Sequence, residues 1–382
     1  LNYIELSKIL DMPSDQKWYR ISNEKEIFSP SLLIYPERVE SNIRRMVEIS
    51  GDVANLRPHV KTHKMSEIVK LQMKYGISKF KCATIAEAEM VAECGASDIL
   101  LAIQPVGPNI ERFLNLQDSF GQISFSCIAD SAAIVHQISA SAAARGKKAG
   151  IWLDINAGMN RTGILPGAEA IDLYKLIHIL PGSEACGLHV YDGHIHEKDF
   201  PERQAVCRMA FSPVLRMIEE LGSEGFGQIR VVAGGSPTFP VHASSAGTET
   251  SPGTVLLWDY NYASSFPDLD FSFAAVLFTR VISKPGDDLI CIDLGHKAVG
   301  SEMPQPRIHI LDFGDYTITG HNEEHMVIKT PHAGALKIGD VLYAVPCHIC
   351  PTVDRYDSVY VVRDSVVSGR WKVEARSRQI NF

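Results

Sequence analysis

The chain has 382 residues, enough for two or three domains around a large core. Hydrophobic residues make up 45%, charged residues 21%, and the formal net charge is -8, a balance that argues against nucleic acid or an anionic membrane surface as a partner. No apolar run approaches a membrane span, "LNYIELSKILDMPSDQ" lacks a signal-peptide pattern, and the 8 cysteines show no framework spacing, so a cytoplasmic protein with reduced thiols is expected.

Short apolar runs alternate with helical segments from "FSPSLLIYPERVESNIRRMVEIS" onward, where the apolar positions after Pro36 follow the helical period. The strand candidates are "VANLRPHV", "KFKCATI", "DILLAI", "QISFSCIAD", "AGIWLDIN", "EACGLHVYDG", "IRVVAGG" and "TVLLWDY". Most are separated by helix formers, which predicts parallel neighbours joined by right-handed crossovers. Eight such units favour a TIM-type (β/α)8 barrel over an open sheet. From about Phe271 the texture changes to alternating apolar and polar residues broken by Gly, Asp and Pro, the pattern of a mainly antiparallel β domain. The expected fold class is therefore α/β, with the barrel at residues 27–265 and a β domain formed by 266–382 together with 1–26.

In a parallel barrel, reactive groups gather where strands end. His59 and Lys61 follow the first run; Asn156 and Arg161 follow "IWLDIN"; Tyr191, His194 and His196 follow "CGLHV"; Tyr260 follows "TVLLWD". After the seventh run, "VVAGGSPTFP" has the composition of a phosphate cradle. Gly234 and Gly235 would let the backbone approach, while Ser236 and Thr238 offer hydroxyls; a turn that merely needs glycine is the plain alternative. A lysine in a partly desolvated pocket forms an imine with an aldehyde, and the phosphorylated aldehyde that joins these two features is pyridoxal 5'-phosphate.

Taken in order, "LRPHVKTHK", "FKCATIAEAEMVAECGA", "GMNRTGI", "YDGHIH", "VVAGGSPTFP", "SPGTVLLWDYNY", "DLGHKAVGSEMP", "GHNEEH" and "PCHICPTVD" resemble the D-threonine aldolase and D-serine dehydratase family of pyridoxal-phosphate enzymes, built on an alanine-racemase-like barrel. The resemblance runs from about Ile27 to the C-terminus. It implies that Lys61 is the cofactor lysine, that Arg161 lies near the cofactor ring, and that Tyr191 belongs to the same site. Gly234, Gly235, Ser236, Thr238 and Tyr260 match the phosphate-binding positions. It also implies a divalent metal, zinc or manganese, on His348 and Cys350 in the β domain. Imidazole and thiolate suit such an ion in their own right, whereas Cys347 should point elsewhere in an extended segment. A homodimer is implied as well.

The expected substrate is a D-3-hydroxy amino acid, with His59 and His194 as candidates for taking the hydroxyl proton. His59 should share the barrel-interior face with Lys61, while His63 and Lys64 fall to helix-start or surface roles. Loss of the hydroxyl proton gives retro-aldol cleavage to glycine and an aldehyde. Loss of the α-proton, with Lys61 as base, gives the 2-oxo acid and ammonia of a dehydratase such as one for D-serine or D-3-hydroxyaspartate. Cys350 pulls toward dehydration, because the family's aldolases commonly carry an acid there, yet the wording of the motifs as a whole is nearest the aldolases. A non-catalytic pyridoxal-phosphate carrier, or a barrel hydrolase using His194 and His196 for metal, would leave other features unexplained. His296 and Lys297, and Glu323, Glu324 and His325 in "GHNEEH", are weaker candidates for lining the site.

Overall fold

The computed structural model describes residues 17–245 and 247–382, so residues 1–16 of the segment expected to join the β domain lie outside the described part. Strand β1 (Ser31–Ile34) leads into the helix Pro36–Ser50, where Pro36 sits in the first turn and needs no hydrogen bond from its nitrogen. Its apolar face, Val39, Ile43 and Met46, is buried. Six further strands, β2 (Lys79–Cys82), β3 (Asp98–Leu101), β4 (Ser124–Ala129), β5 (Ala149–Ile155), β6 (Ser183–Val190) and β7 (Val231–Ala233), coincide with expected runs. With β8 (Thr248–Thr250) they form a seven-stranded parallel sheet in chain order. Among the described residues no helix is long and apolar enough to cross a membrane.

The sheet closes through residues 56–59 rather than through a regular strand. Arg57 N donates to Thr250 O (2.8 Å), His59 N to Pro252 O (3.0 Å), and Lys81 N to Pro58 O (3.0 Å). Pro58 has no donor of its own, so this side of the ring is held by bridges, Leu56 with Thr250 and His59 with Lys81. "VANLRPHV" is thus a 3-10 turn, Val53–Asn55, followed by an extended stretch, and Lys61 sits in a second 3-10 turn, Val60–Thr62. The expected eighth strand is corrected: "TVLLWDY" forms the 3-10 turn Thr254–Leu256 and opens the helix Tyr260–Ser265. Val255, Leu256, Leu257 and Trp258 are buried, and a short fully buried run does not reveal its period. The real β8 is the polar "TET", which hydropathy passes over.

The interior of the barrel is layered. At the floor, Arg57 is fully buried and bonds both oxygens of Asp98 (2.7 Å each) and Glu249 (2.6 Å), which also receives Lys79 and Arg230. Above it Leu100, Ile128, Trp152 and Val232 pack together. Above those, toward the strand C-termini, lie the polar groups of the site. Ile99, Leu101, Cys127 and Leu153 point the other way, into the main core under the helices, as strand alternation requires.

Residues from Ala275 on form the second sheet: β9 (Ala275–Gly286), β10 (Leu289–Ile292), β11 (Ile308–Ile310), β12 (Thr317–His321), β13 (Met326–Lys329), β14 (Val341–Pro346), β15 (Ser358–Arg363) and β16 (Val366–Lys372). It is mixed and mostly antiparallel. β1 runs in its middle, antiparallel to β9 and parallel to β15. The sheet therefore claims the chain as far as Ile34, beyond the expected boundary at residue 26.

Removing Arg57 would leave the buried Glu249 and the half-buried Asp98 with fewer partners, a mechanism that costs about 3–5 kcal/mol when the charge is left unpaired. Arg57→Leu is expected to lower the unfolding free energy in urea titration by the lower end of that range, since Lys79 still pairs with Glu249 and the half-exposed Arg230 with Glu249 and, at 3.9 Å, Asp98.

Candidate active site

Three cationic side chains face the ring of Tyr191, at the end of β6: Arg161 Cζ at 4.9 Å from its centroid, Lys81 Nζ at 5.6 Å and Lys61 Nζ at 5.9 Å. The nearest buried carboxylates are engaged elsewhere. Asp154 accepts from His189 Nδ1 (2.6 Å), and Asp192 accepts from Thr238 Oγ1 (2.7 Å) and His242 Nε2 (2.6 Å). Positive charge gathered without a matching anion is the donor set that a phosphorylated cofactor requires.

The loop after β7 is cut to fit around Tyr191. Gly234 has φ +75°, and a Cβ there would meet His242 at 2.9 Å; a Cβ on Gly235 would meet Tyr191 at 3.1 Å. Thr238 is committed to this loop, since its hydroxyl accepts from Gly235 N (3.1 Å) while donating to Asp192. Ser236 Oγ accepts from Gly253 N (3.3 Å) and Thr254 N (3.2 Å), tying the loop to the turn after β8. Tyr260 stacks on His309 of β11 at 4.2 Å. The amides of Gly234, Gly235 and Thr238 are taken by Val190 O, Thr238 Oγ1 and Gly235 O, so the fit of residues 234–238 to a phosphate rests on the space the glycines leave and on the nearby cationic groups.

His59 is buried and its Nδ1 accepts from Lys61 N (3.3 Å). Burial, with the charges of Lys61 and Lys81, holds its pKa well below the ordinary histidine value. Beside it, of the two roles expected for His63 and Lys64 only the surface one is corrected: both are buried, Lys64 pairing with Glu87 (2.7 Å), while His63 Nδ1 accepts from Met65 N (3.1 Å) at the start of the helix Ser66–Lys74. His194 lies half-buried against Gly158 of the Arg161 loop, where an added Cβ would meet its Nε2 at 2.8 Å; its Nδ1 is buried without a partner. His196 is exposed, so the two histidines of "GHIH" do not converge. Glu323, Glu324 and His325 form an exposed turn between β12 and β13, with both glutamates on Lys297; the pairing leaves them as a surface cluster. His296 lies beside His321, ring centroids 6.0 Å apart.

The β domain delivers His348 and Cys350 to the barrel mouth. Cys350 Sγ lies 3.3 Å from Thr62 Oγ1 and 3.6 Å from Thr254 Oγ1. Burial pushes its thiol up, but the hydrogen bond and charge of His348, with Lys61 adding to them, hold it below the ordinary range. His348 answers in kind: burial lowers it, Cys350 and Glu302 raise it, and the balance stands at about 9. Glu302 bonds the Nδ1 of His348. A thiolate and an imidazole sharing one proton, with a carboxylate behind the ring, form a donor set that a divalent ion can take over from that proton. Cys347 is buried away from this pair, its thiol pushed up to about 12 by burial.

Among the described residues the one group that brings three possible ligand atoms within 4.8 Å of one another lies elsewhere: Asp192, Cys207 and His242, all buried. Spacing alone would admit an ion. Asp192 already holds Thr238 and His242 under the glycine loop, and burial pushes the Cys207 thiol up to about 12, so the group acts first as the loop's support. Asp259, also buried, accepts from Tyr262 N (2.9 Å) and from Ile349 N (3.1 Å). Burial pushes its carboxyl up to about 6.

Residues that sequence reasoning missed are Glu302, Asp259, Thr62, Thr254, Lys81, Asp154 and His189. Glu302 lay inside the quoted "GSEMP", but only the fold shows which carboxylate reaches His348.

Residues 34–261 match the family model of the alanine racemase N-terminal domain, and residues 274–362 match that of a putative serine dehydratase domain. A D-threonine aldolase from Arthrobacter sp is 32% identical over 357 residues, covering 91% of this chain and 92% of its own. A 3-hydroxy-D-aspartate aldolase from Paracoccus denitrificans (strain Pd 1222) is 28% identical, covering 93% and 94%. The crystal structure of D-threonine aldolase from Filomicrobium marinum superposes with a TM-score of 0.87 at 25% identity, over 94% of this chain and 99% of that one. With both domains matched in order and a relative of this identity along nearly the full length, the chain belongs to the D-threonine aldolase and D-serine dehydratase family, on an alanine-racemase-like barrel.

Proposed function

We propose that the protein is a lyase dependent on pyridoxal phosphate and a divalent metal, cleaving D-3-hydroxy amino acids to glycine and an aldehyde. The observation that carries this reading is the placement of Cys350, paired with His348 of the same β domain, against Thr62 and thus one residue from Lys61. When bound, the aldehyde cofactor supplies an electron sink for a substrate amine and the metal a Lewis acid for the neighbouring hydroxyl. Lys61 holds the cofactor, and Tyr191 and Arg161 flank its ring. Gly234, Gly235, Ser236 and Thr238 shape the phosphate cradle, with Tyr260 beside it. His348 Nε2 and Cys350 Sγ hold the ion while Glu302 fixes the imidazole through Nδ1.

The two proton-acceptor candidates are not equivalent. His59 Nδ1 already accepts the Lys61 amide, so its remaining nitrogen carries the proton and can only donate. His194 keeps Nδ1 without a partner and is the better acceptor for the substrate hydroxyl proton.

A second reading, elimination to a 2-oxo acid and ammonia, is favoured by one observation: Cys350 offers a soft sulfur ligand rather than a carboxylate, in a domain that matches the serine dehydratase model. Zinc suits the thiolate and imidazole better than manganese does. Product analysis decides between the readings. D-threonine with pyridoxal phosphate and zinc or manganese is expected to give glycine and acetaldehyde, with L-threonine inert; 2-oxobutanoate and ammonia would establish the dehydratase.

Lys61→Ala is expected to abolish turnover and to lose the borohydride-fixed label that the wild-type protein carries on Lys61 after treatment with pyridoxal phosphate. Glu302→Gln should weaken metal affinity about 10–100-fold in titrations followed by metal analysis, without changing cofactor content. Treatment with a chelator should remove activity that added zinc or manganese restores.

A further inference from the structure

The polar layer at the top of the barrel contains groups that the mechanism above leaves unused. The ladder register puts His59 beside Lys81 and Asp154 beside His189, and alternation turns all of them inward. Lys81 is 3% exposed. Among the described residues no carboxylate lies in ion-pair reach of its amine, because Asp154 is engaged by His189. His189 Nε2 is buried without a partner. The Lys81 amine faces the Tyr191 ring from 5.6 Å, as Lys61 does from 5.9 Å, so both amines adjoin the same ring.

An amino acid arrives with its nitrogen protonated, and that nitrogen must shed a proton before it can react with an aldehyde. We propose that Lys81 is the residue that takes this proton. The step moves one proton: the substrate R–NH3+ and the neutral Lys81 amine become R–NH2 and the Lys81 ammonium, with Asp154 close enough to favour the new charge. This inference rests on the pyridoxal-phosphate reading of the site.

The groups that face Lys81 are His59 and Lys61 from the stretch closing the ring, Asp154 from β5, Arg161 from the loop that follows, and His189, Tyr191 and Asp192 from β6 and its end. Burial, then the like charge of Lys61, lowers the amine to about 7, with Arg161 adding to them and Asp154 and Asp192 opposing. A lysine brought near neutrality by burial and a neighbouring cation is a usable base at physiological pH. Arginine in its place could not accept a proton.

Holoenzyme is mixed rapidly with D-threonine and the change in cofactor absorbance is followed as a function of pH. Wild-type protein is expected to show a rate that falls as pH drops through about 7. Lys81→Met and Lys81→Arg should both lose this limb and react on the order of 100-fold more slowly, with cofactor still bound. A wild-type rate and limb in either variant overturns the proposal. A second measurement does not depend on those variants: Lys61→Ala protein is treated with pyridoxal phosphate and borohydride across pH, and labelled peptides are mapped. Label on Lys81 that rises with pH, with a midpoint above 7 because the charge of Lys61 is gone from this variant, supports an amine in reach of the aldehyde; absence of label there overturns it. Failure of wild-type protein to take label on Lys61 would instead sink the cofactor reading, which separates the two results.

Discussion

The carboxylate of Asp259 holds the two halves of the site in register. One oxygen caps the helix that begins at Tyr260, and the other accepts the amide of Ile349, between His348 and Cys350. Hydrogen bonds to a charged group contribute about 1.5–3 kcal/mol, and here both donors are backbone amides, one of them in the buried Ile349. Cys350 meets Thr62 and Thr254 across the same boundary, and the segment that carries it comes from a different sheet. His309, stacked on Tyr260, adds a second contact across the same boundary.

The barrel separates its charges by depth. The floor is an ionic cluster in which each charge has a partner, the middle is apolar, and the top is a set of nitrogens with too few anions. Trp152 and its neighbours lie between the two charged layers, so the low dielectric that strengthens the floor pairs also isolates the site from them. An anionic ligand would complete the excess of basic groups above that layer.

The regular part of this architecture was legible in the sequence. β2 to β7 are buried apolar runs at crossover spacing, and the alternation beyond Phe271 announced the second sheet. The two ends of the barrel were not legible. Pro58 breaks the first strand into bridges, and "TET" carries no hydropathic signal although all three residues are buried. Lys61, Tyr191, Arg161 and the glycine loop could be placed by position and resemblance. Lys81 could not, because hydropathy does not distinguish a lysine turned into a barrel from one turned into solvent. Glu302 and Asp259 were hidden for another reason: their partners, His348 and Ile349, are 46 and 90 residues away along the chain, and no local pattern encodes that pairing.

The position of β1 makes the chain cross between its two domains twice. It enters through a strand held between β9 and β15, passes into the barrel at the helix Pro36–Ser50, and returns at β9. The barrel is therefore an insertion within the β domain, in covalent terms, and not a module with a tail. A chimaera that exchanged the metal-bearing domain between relatives by a single junction near Ala275 would leave β1 to pair with strands it did not evolve beside. The exchangeable unit is the segment from Lys17 to Ile34 together with everything from Ala275 onward, and any transfer of the His348 and Cys350 pair to another barrel has to carry both pieces.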